Sequence, residues 1–288
     1  MKKTFLSVLG VAAVAVSAVL FAGCGGGGGK DRAREITVIS REESSGTRGA
    51  FDEIMKITDS STNMLFREAV IVSSTDEAAS KVEVDRFAIG YTSLGSVTPR
   101  VKAISIDGIA ATEANVQDGS YTVSRPFVLA KMSNSANALA ADFLKFVISP
   151  DGQAIVTRSG LILSPDAAAE AYAPGGLTGT LTLSGSTSVE RVIERLREAY
   201  EGLNPGTRLE INYNGSGAGI RDAISGRSVL AMSSRELRAS ELEQLQAMTF
   251  ALDGIAVIVN QANTVGNLSS ENVTKIFKGE IRLWSDVQ

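Results

Sequence analysis

The residues of this chain that could do chemistry are hydroxyls, small residues and a few arginines, gathered where strand-like runs give way to helix-like ones. In residues 36–54, Ile36, Val38 and Ile39 favour a strand, Ser44, Ser45, Gly46 and Thr47 suit a loop or cap, and Ala50, Phe51 and Ile54 recur at helical spacing. The unpaired backbone N–H groups of such a helix start, at the positive end of its dipole, attract an anion. Arg41 lies just upstream, and its planar fork of donors fits a tetrahedral oxyanion better than a lysine point charge would. The plainer reading is that Thr47 caps a helix and Arg41 pairs with Glu42 or Glu43.

The same construction recurs. In residues 180–200 an alternating strand runs into Gly185-Ser186-Thr187-Ser188, and Val189, Val192, Ile193, Leu196 and Tyr200 then fall on one helical face. Thr187 with Glu190 fits a capping box. In residues 209–224 another strand enters Gly215-Ser216-Gly217-Ala218-Gly219, where glycines let the backbone approach a ligand closely. Ser233-Ser234-Arg235 ends a further strand. Three strand-to-helix junctions loaded with hydroxyls could converge on one anion.

The elements needed to hold these junctions alternate between strand and helix, which predicts an α/β fold with layered sheets. Strands are expected at 69–72, 87–91, 101–108 and 250–260, and an extended segment over 121–130 whose Pro126 suits an edge or a crossover. Helices are expected at 75–81, 136–148, 151–159, 239–247 and 268–277, with loops at 58–63 and 95–99. Residues 164–179, with Pro174-Gly175-Gly176, read as a linker.

Composition narrows the chemistry. There is no histidine among the 288 residues, so histidine-dependent triads and histidine metal sites are excluded, and a single cysteine excludes an internal disulfide. No Ser-x-x-Lys or Gly-x-Ser-x-Gly motif stands at the junctions, which weighs against a hydrolase using Ser188 or Ser45 as nucleophile. Glu42 and Glu43 could in principle do acid/base work, but adjacent acids at a helix entrance read more simply as solvated charges. No cofactor or metal is expected.

Residues 1–23 read as a secretory signal peptide: Lys2 and Lys3, then a largely apolar run from Phe5 to Ala22. Ala22-Gly23 before Cys24 resembles a bacterial lipobox, which would make Cys24 an acylated N-terminus; Phe21 is less usual there, and plain secretion or an uncleaved anchor are the alternatives. Residues 25–29 are five glycines, a flexible tether. Loss of residues 1–23 removes two lysines and no acid, leaving 26 basic against 32 acidic side chains. That balance disfavours nucleic acid as a partner, and it makes any attraction for an anion local.

Taken together, SGSTSV (184–189), NGSGAGI (214–220), MSSREL (232–237), ALDGIAVIVN (251–260), IFKGEIRLWSDV (276–287), SREESSGTR (40–48), AIGYTSLG (88–95), SIDGIA (105–110) and ISPDGQAIV (148–156) resemble the periplasmic phosphate-binding proteins of bacterial Pst-type ABC transporters. The order differs from the family's, in which the SGSTSV segment comes first and WSDV leads directly into SREESSGTR. This looks like a circular permutation, with the ancestral ends joined through 164–179; a misjoined gene fragment is the alternative. The resemblance implies a two-lobed type II binding-protein fold with the ligand cleft between lobes. One lobe would be continuous, 123–252, and the other would combine 30–122 with 253–288.

Carried over residue by residue, the resemblance implies that Thr187, Ser188 and Ser216 donate to phosphate from one lobe, while Arg41, Ser45, Gly46 and Thr47 close from the other. Better-studied relatives have an acidic residue where Ser234 stands, which accepts the proton of hydrogen phosphate. Asp253 is the candidate for that role here, the alternative being that it only shapes a turn. The implied function is extracytoplasmic capture of inorganic phosphate by a lipid-anchored monomer and its delivery to an ABC transporter permease, without enzymatic activity. Sulfate or molybdate binding, or a permuted relic without a ligand, are the other readings.

Overall fold

Leu245–Asn260 forms one 16-residue strand on which both halves of the molecule are built. The structure is a computed structural model that describes residues 35–59 and 62–287; the expected signal peptide, Cys24 and the glycine tether lie outside the described residues. The principal strands in chain order are β1 (Thr37–Arg41), β2 (Val70–Val72), β3 (Ala88–Ser93), β4 (Ser124–Met132), β5 (Gly179–Gly185), β6 (Thr207–Tyr213), β7 (Leu230–Ser233) and the long strand, β8. The principal helices are α1 (Gly46–Ile54), α2 (Thr75–Val84), α3 (Ala138–Ile148), α4 (Pro150–Arg158), α5 (Glu190–Leu203), α6 (Ser216–Ile224) and α7 (Ser270–Lys278).

The strands lie in the order β6-β5-β7-β4-β8-β3-β1-β2. β5 is parallel to β6 and β7, and β1 is parallel to β2 and β3. β8 joins the two groups: residues from Leu245 to Gly254 run antiparallel to β4, and Ile255 to Val259 run antiparallel to β3. Apolar side chains pack on either side of that crossing. Phe127, Phe143, Phe146, Leu196, Tyr200 and Phe250 belong to one core, and Phe51, Tyr91, Ile255, Ile276 and Phe277 to another. α5 shows why its sequence folds this way: Val192, Ile193, Leu196 and Tyr200 form the buried stripe, and fully burying each aliphatic side chain contributes roughly 1.5–3 kcal/mol. The architecture is α/β, as the alternating pattern predicts, and two-lobed, as the resemblance implies.

The structure departs from the sequence expectations in three places. Residues 58–63, expected as a loop, contain Thr58–Asp59 paired with Thr62–Asn63 as a short antiparallel ladder. The helix expected over 239–247 ends at Leu242, because Leu245 is buried and already paired with Met132 as the first residue of β8. The strand expected over 101–108 is broken: Val101–Ala103 pairs with β8, and Ser105–Ile106 pairs with Asn267–Leu268. Pro126 falls at a local edge, as expected: β7 pairs with β4 only from Val128 to Lys131, so Pro126 is paired on one side alone, with Leu252.

Residues 164–178 contain neither helix nor strand. Near the other end of the fold, the Ile36 N–H donates to the Arg282 carbonyl at 2.7 Å, and Glu35 bridges Leu283. No helix among the described residues is long and apolar enough to cross a membrane.

Candidate functional site

Parallel pairing brings the C-terminal ends of the strands level, Arg41 beside Val72 and Gly185 beside Met232. Each end is followed by a hydroxyl-bearing turn: Ser44-Ser45 after β1, Ser73-Ser74-Thr75 after β2, Ser186-Thr187-Ser188 after β5, Gly215-Ser216 after β6, and Ser234 after β7. Ligands of open α/β sheets lie outside such strand ends, where helix N-termini point their free N–H groups.

Arg41 stands at the centre and is 2% exposed. Its Nε and Nη2 donate to the two carboxylate oxygens of Glu42, both at 2.9 Å. The other edge of the guanidinium faces hydroxyls: Nη1 donates to Thr75 Oγ1 and Nη2 to Thr187 Oγ1, each at 3.1 Å. Its backbone is braced as well. The Arg41 N–H donates to the Tyr91 hydroxyl, and Arg48 Nη1 donates to the Arg41 carbonyl at 2.9 Å.

Hydroxyls from the two lobes then meet one another. Thr47 Oγ1 lies 2.7 Å and Thr75 Oγ1 lies 2.9 Å from Ser188 Oγ. Ser234 Oγ, fully buried, lies 2.9 Å from Ser186 Oγ and 3.4 Å from Ser216 Oγ, and the Ser234 N–H donates to Ser216 Oγ. Gly46 occupies the tightest point. A Cβ there would fall 2.3 Å from Ser216 Oγ and 2.7 Å from Ser234 Oγ, so a side chain at 46 is incompatible with this contact between lobes. Backbone joins the lobes too, the Gly217 N–H donating to the Ser44 carbonyl at 2.9 Å.

Behind this cluster lie two buried ion pairs. Asp253 Oδ2 accepts from Arg125 Nη2 and Nε at 3.1 and 3.3 Å, and Oδ1 accepts from the Ser93 hydroxyl at 2.9 Å. Burial pushes the Asp253 carboxyl up, against the opposing pull of Arg125. Arg125 Nη1 reaches forward to the Ser234 carbonyl at 3.2 Å. Asp52 pairs with Arg48 at 3.3 Å, and burial, partly offset by Arg48, raises its carboxyl to about 6.

Arg41, Gly46, Thr47, Thr187, Ser188, Ser216 and Ser234 come together at one place. Ser45 is there in a different role: its side chain accepts from the Arg48 N–H and so caps α1, the role the plainer reading gave to Thr47. Likewise Ser186, rather than Thr187, makes the cap after β5, accepting from the Ser188 N–H. Asp253, the expected proton acceptor, is held by Arg125 and the Ser93 hydroxyl, and its link to the cluster runs through Arg125. Ser188 touches other hydroxyls, which gives a nucleophile no base. Sequence reasoning missed Thr75, Ser186 and Arg125. Thr75 had a visible signal, since Val70–Val72 followed by Ser73-Ser74-Thr75 is a further strand, hydroxyl turn and helix of the same kind.

Comparison with known proteins gives a consistent group. The PBP superfamily domain matches residues 29–151 and 170–288. Phosphate-binding protein PstS 2 of Streptococcus agalactiae serotype V is 37% identical over 292 residues, covering 99% of each chain. Its namesake in Streptococcus pneumoniae serotype 4 is 38% identical over 291 residues, again covering 99% of each. The crystal structure of a phosphate-binding protein of a phosphate ABC transporter from Streptococcus pneumoniae TIGR4 superposes with a TM-score of 0.71 at 40% identity, covering 88% of this chain and all of that one.

Proposed function

This chain belongs to the PBP superfamily, among the PstS-type phosphate-binding proteins, and from that premise we infer that it captures inorganic phosphate and delivers it to an ABC transporter for import. The observation that carries the reading is the meeting of the buried Arg41 guanidinium with hydroxyls from both lobes, Thr47 and Thr75 on one side and Thr187 and Ser188 on the other. Phosphate would bind there between the lobes. Arg41 supplies the charge, Thr47, Thr187, Ser188, Ser216 and Ser234 supply hydroxyl donors, and Gly46 leaves room for close approach. Ser45 holds the start of α1 in place. Charge-assisted hydrogen bonds in a desolvated cleft provide the affinity, and no covalent step is needed.

The protein acts outside the cytoplasm, tethered through acylated Cys24 and its glycine tract, as a monomer. Its segment order is shared by the PstS 2 relatives, whose alignment runs along 99% of each chain, and is permuted relative to the order given above for the wider family. Two observations support a permutation: the contact between Ile36 and Arg282, and a 164–178 connection free of regular structure. New ends are tolerated where the old neighbours stay in contact and the join lies on an irregular surface segment.

Thermal unfolding in increasing phosphate at constant ionic strength tests the function. At a phosphate concentration a hundred times Kd the native state should gain about 2.7 kcal/mol, and Arg41→Met should abolish the shift. An unfolding midpoint that phosphate leaves unmoved would overturn the assignment.

A further inference from the structure

We propose that the first turn of α2 is a clasp on the cleft, gripping the start of α5 from inside through Thr75 and from outside through Asp76, and that it sets how long bound phosphate stays rather than how fast it enters. The inference rests on the phosphate-binding reading above. α2 packs through Ala78, Ala79 and Val82 into the lobe of β1 and β3, and α5 packs through Val192, Ile193 and Leu196 into the lobe of β5. A contact between their first turns therefore ties one lobe to the other.

Two successive residues make that tie. Thr75, which is buried, places Oγ1 2.9 Å from Ser188 Oγ and 3.3 Å from Thr187 Oγ1 while it accepts from Arg41 Nη1. Asp76 lies at the surface, and its Oδ1 accepts from Arg191 Nη2 at 3.2 Å. Arg191 follows Ser188 by three residues, which puts both on one side of the turn entering α5. The pair also offsets a repulsion: the Glu190 carboxyl is pushed up by burial and by Asp76, and Arg191 pulls it down. The turn that carries Thr75 and Asp76 is itself fixed. Ser74 Oγ accepts from the Glu77 N–H at 3.1 Å, and Glu77 Oε2 accepts from the Ser73 N–H and hydroxyl, both at 2.9 Å. Apart from Arg125–Asp253, on the crossing strands themselves, Asp76–Arg191 is the ion pair that joins the lobes among the described residues. Arg235 also reaches the facing lobe, beside Gly49, but its carboxylate partner is Glu241 of its own lobe. Parting the lobes separates 75–76 from 187–191, so the clasp stabilises the closed state and contributes nothing to the open cleft that phosphate enters. Its loss is read in the release rate.

Release of radiolabelled phosphate from the purified protein into excess unlabelled phosphate, with Kd from calorimetry, tests the clasp. Asp76→Asn should speed release about 2- to 5-fold, the range of an exposed ion pair, and Arg191→Glu should speed it further. Exchanging the pair, Asp76→Lys with Arg191→Glu, should bring release back to within about twofold of the wild type. Thr75→Val should speed release at least about tenfold and Thr75→Ser should restore it to within about threefold, because Thr75 holds a charged donor. In both Thr75 variants the association rate and the unfolding midpoint without phosphate should stay at the wild-type values. Wild-type release rates in Arg191→Glu and Thr75→Val would overturn the inference and leave the phosphate assignment standing. So would faster release that the exchanged pair does not restore, or a Thr75→Val loss that falls wholly on association. Absence of phosphate binding by the wild type would overturn both. Should Thr75→Val fail to fold, the surface variants at 76 and 191 decide alone.

Discussion

Arg41 serves the site through the geometry of its side chain as well as its charge, since one edge holds Glu42 while the other reaches Thr75 and Thr187. Lysine keeps the charge and cannot hold both edges. Arg41→Lys should therefore weaken phosphate binding about 10- to 150-fold in calorimetry, the loss of one hydrogen bond to a charged group at roughly 1.5–3 kcal/mol; unchanged affinity would show that charge alone suffices. Asp253→Asn should act on stability, because it leaves Arg125 buried without its counter-charge. A loss of about 3–5 kcal/mol in denaturant unfolding is expected, with the ratio of phosphate to sulfate affinity unchanged. Asp52 gives a pH signature. Its carboxyl is raised from 3.8 to about 6 chiefly by burial, so between pH 6 and 4 the native state holds a proton that the unfolded chain releases. Its contribution to stability thus grows as pH falls through 6 and is lost as pH rises again. A carbon-detected titration of Asp52 should show a midpoint near 6, and a midpoint near 4 would contradict it. Arg41 and the hydroxyls of the three junctions were legible because strand, hydroxyl turn and helix repeat locally in the sequence. The ion pair of Asp253 was not legible because its partner Arg125 lies 128 positions away, and only the antiparallel register of β4 and β8 reveals it.

At the scale of elements, each helix that follows a parallel strand begins at the same level, and the contact between lobes depends on how closely those starts approach. Gly46→Ala places a methyl group 2.3 Å from Ser216 Oγ, so it should hold the lobes apart. Phosphate affinity should fall more than about tenfold while stability without phosphate stays nearly constant, since Gly46 lies at a helix start and not in either core. Equal affinity would mean that the ligand does not require this approach. Gly219 offers the contrast: a Cβ there would lie 2.2 Å from the Ser184 carbonyl, packing α6 against β5, so Gly219→Ala should lower stability directly. The amphipathic helices were readable from spacing alone, as in α5. The end of the 239–242 helix and the start of β8 were not, because Leu245 is claimed by pairing with Met132, a contact distant in sequence.

For the whole molecule, the proposed permutation and the two-lobed cleft are one question about how the chain is cut. The Ile36–Arg282 hydrogen bond holds two distant segments together, and residues 164–178 cross the surface without regular structure. A variant that links residue 287 to residue 35 by a short glycine-rich loop and opens the chain within 171–176 should fold and bind phosphate within about threefold of the parent. Failure to fold would contradict the permutation. The central claim is that one phosphate is held by both lobes at once. Amide hydrogen exchange with and without phosphate tests it most directly, because exchange reports local opening segment by segment. The account predicts that phosphate slows exchange together at 44–48 and 74–77 in one lobe and at 186–190, 215–218 and 233–235 in the other; protection confined to a single lobe, or absent from both, would contradict it.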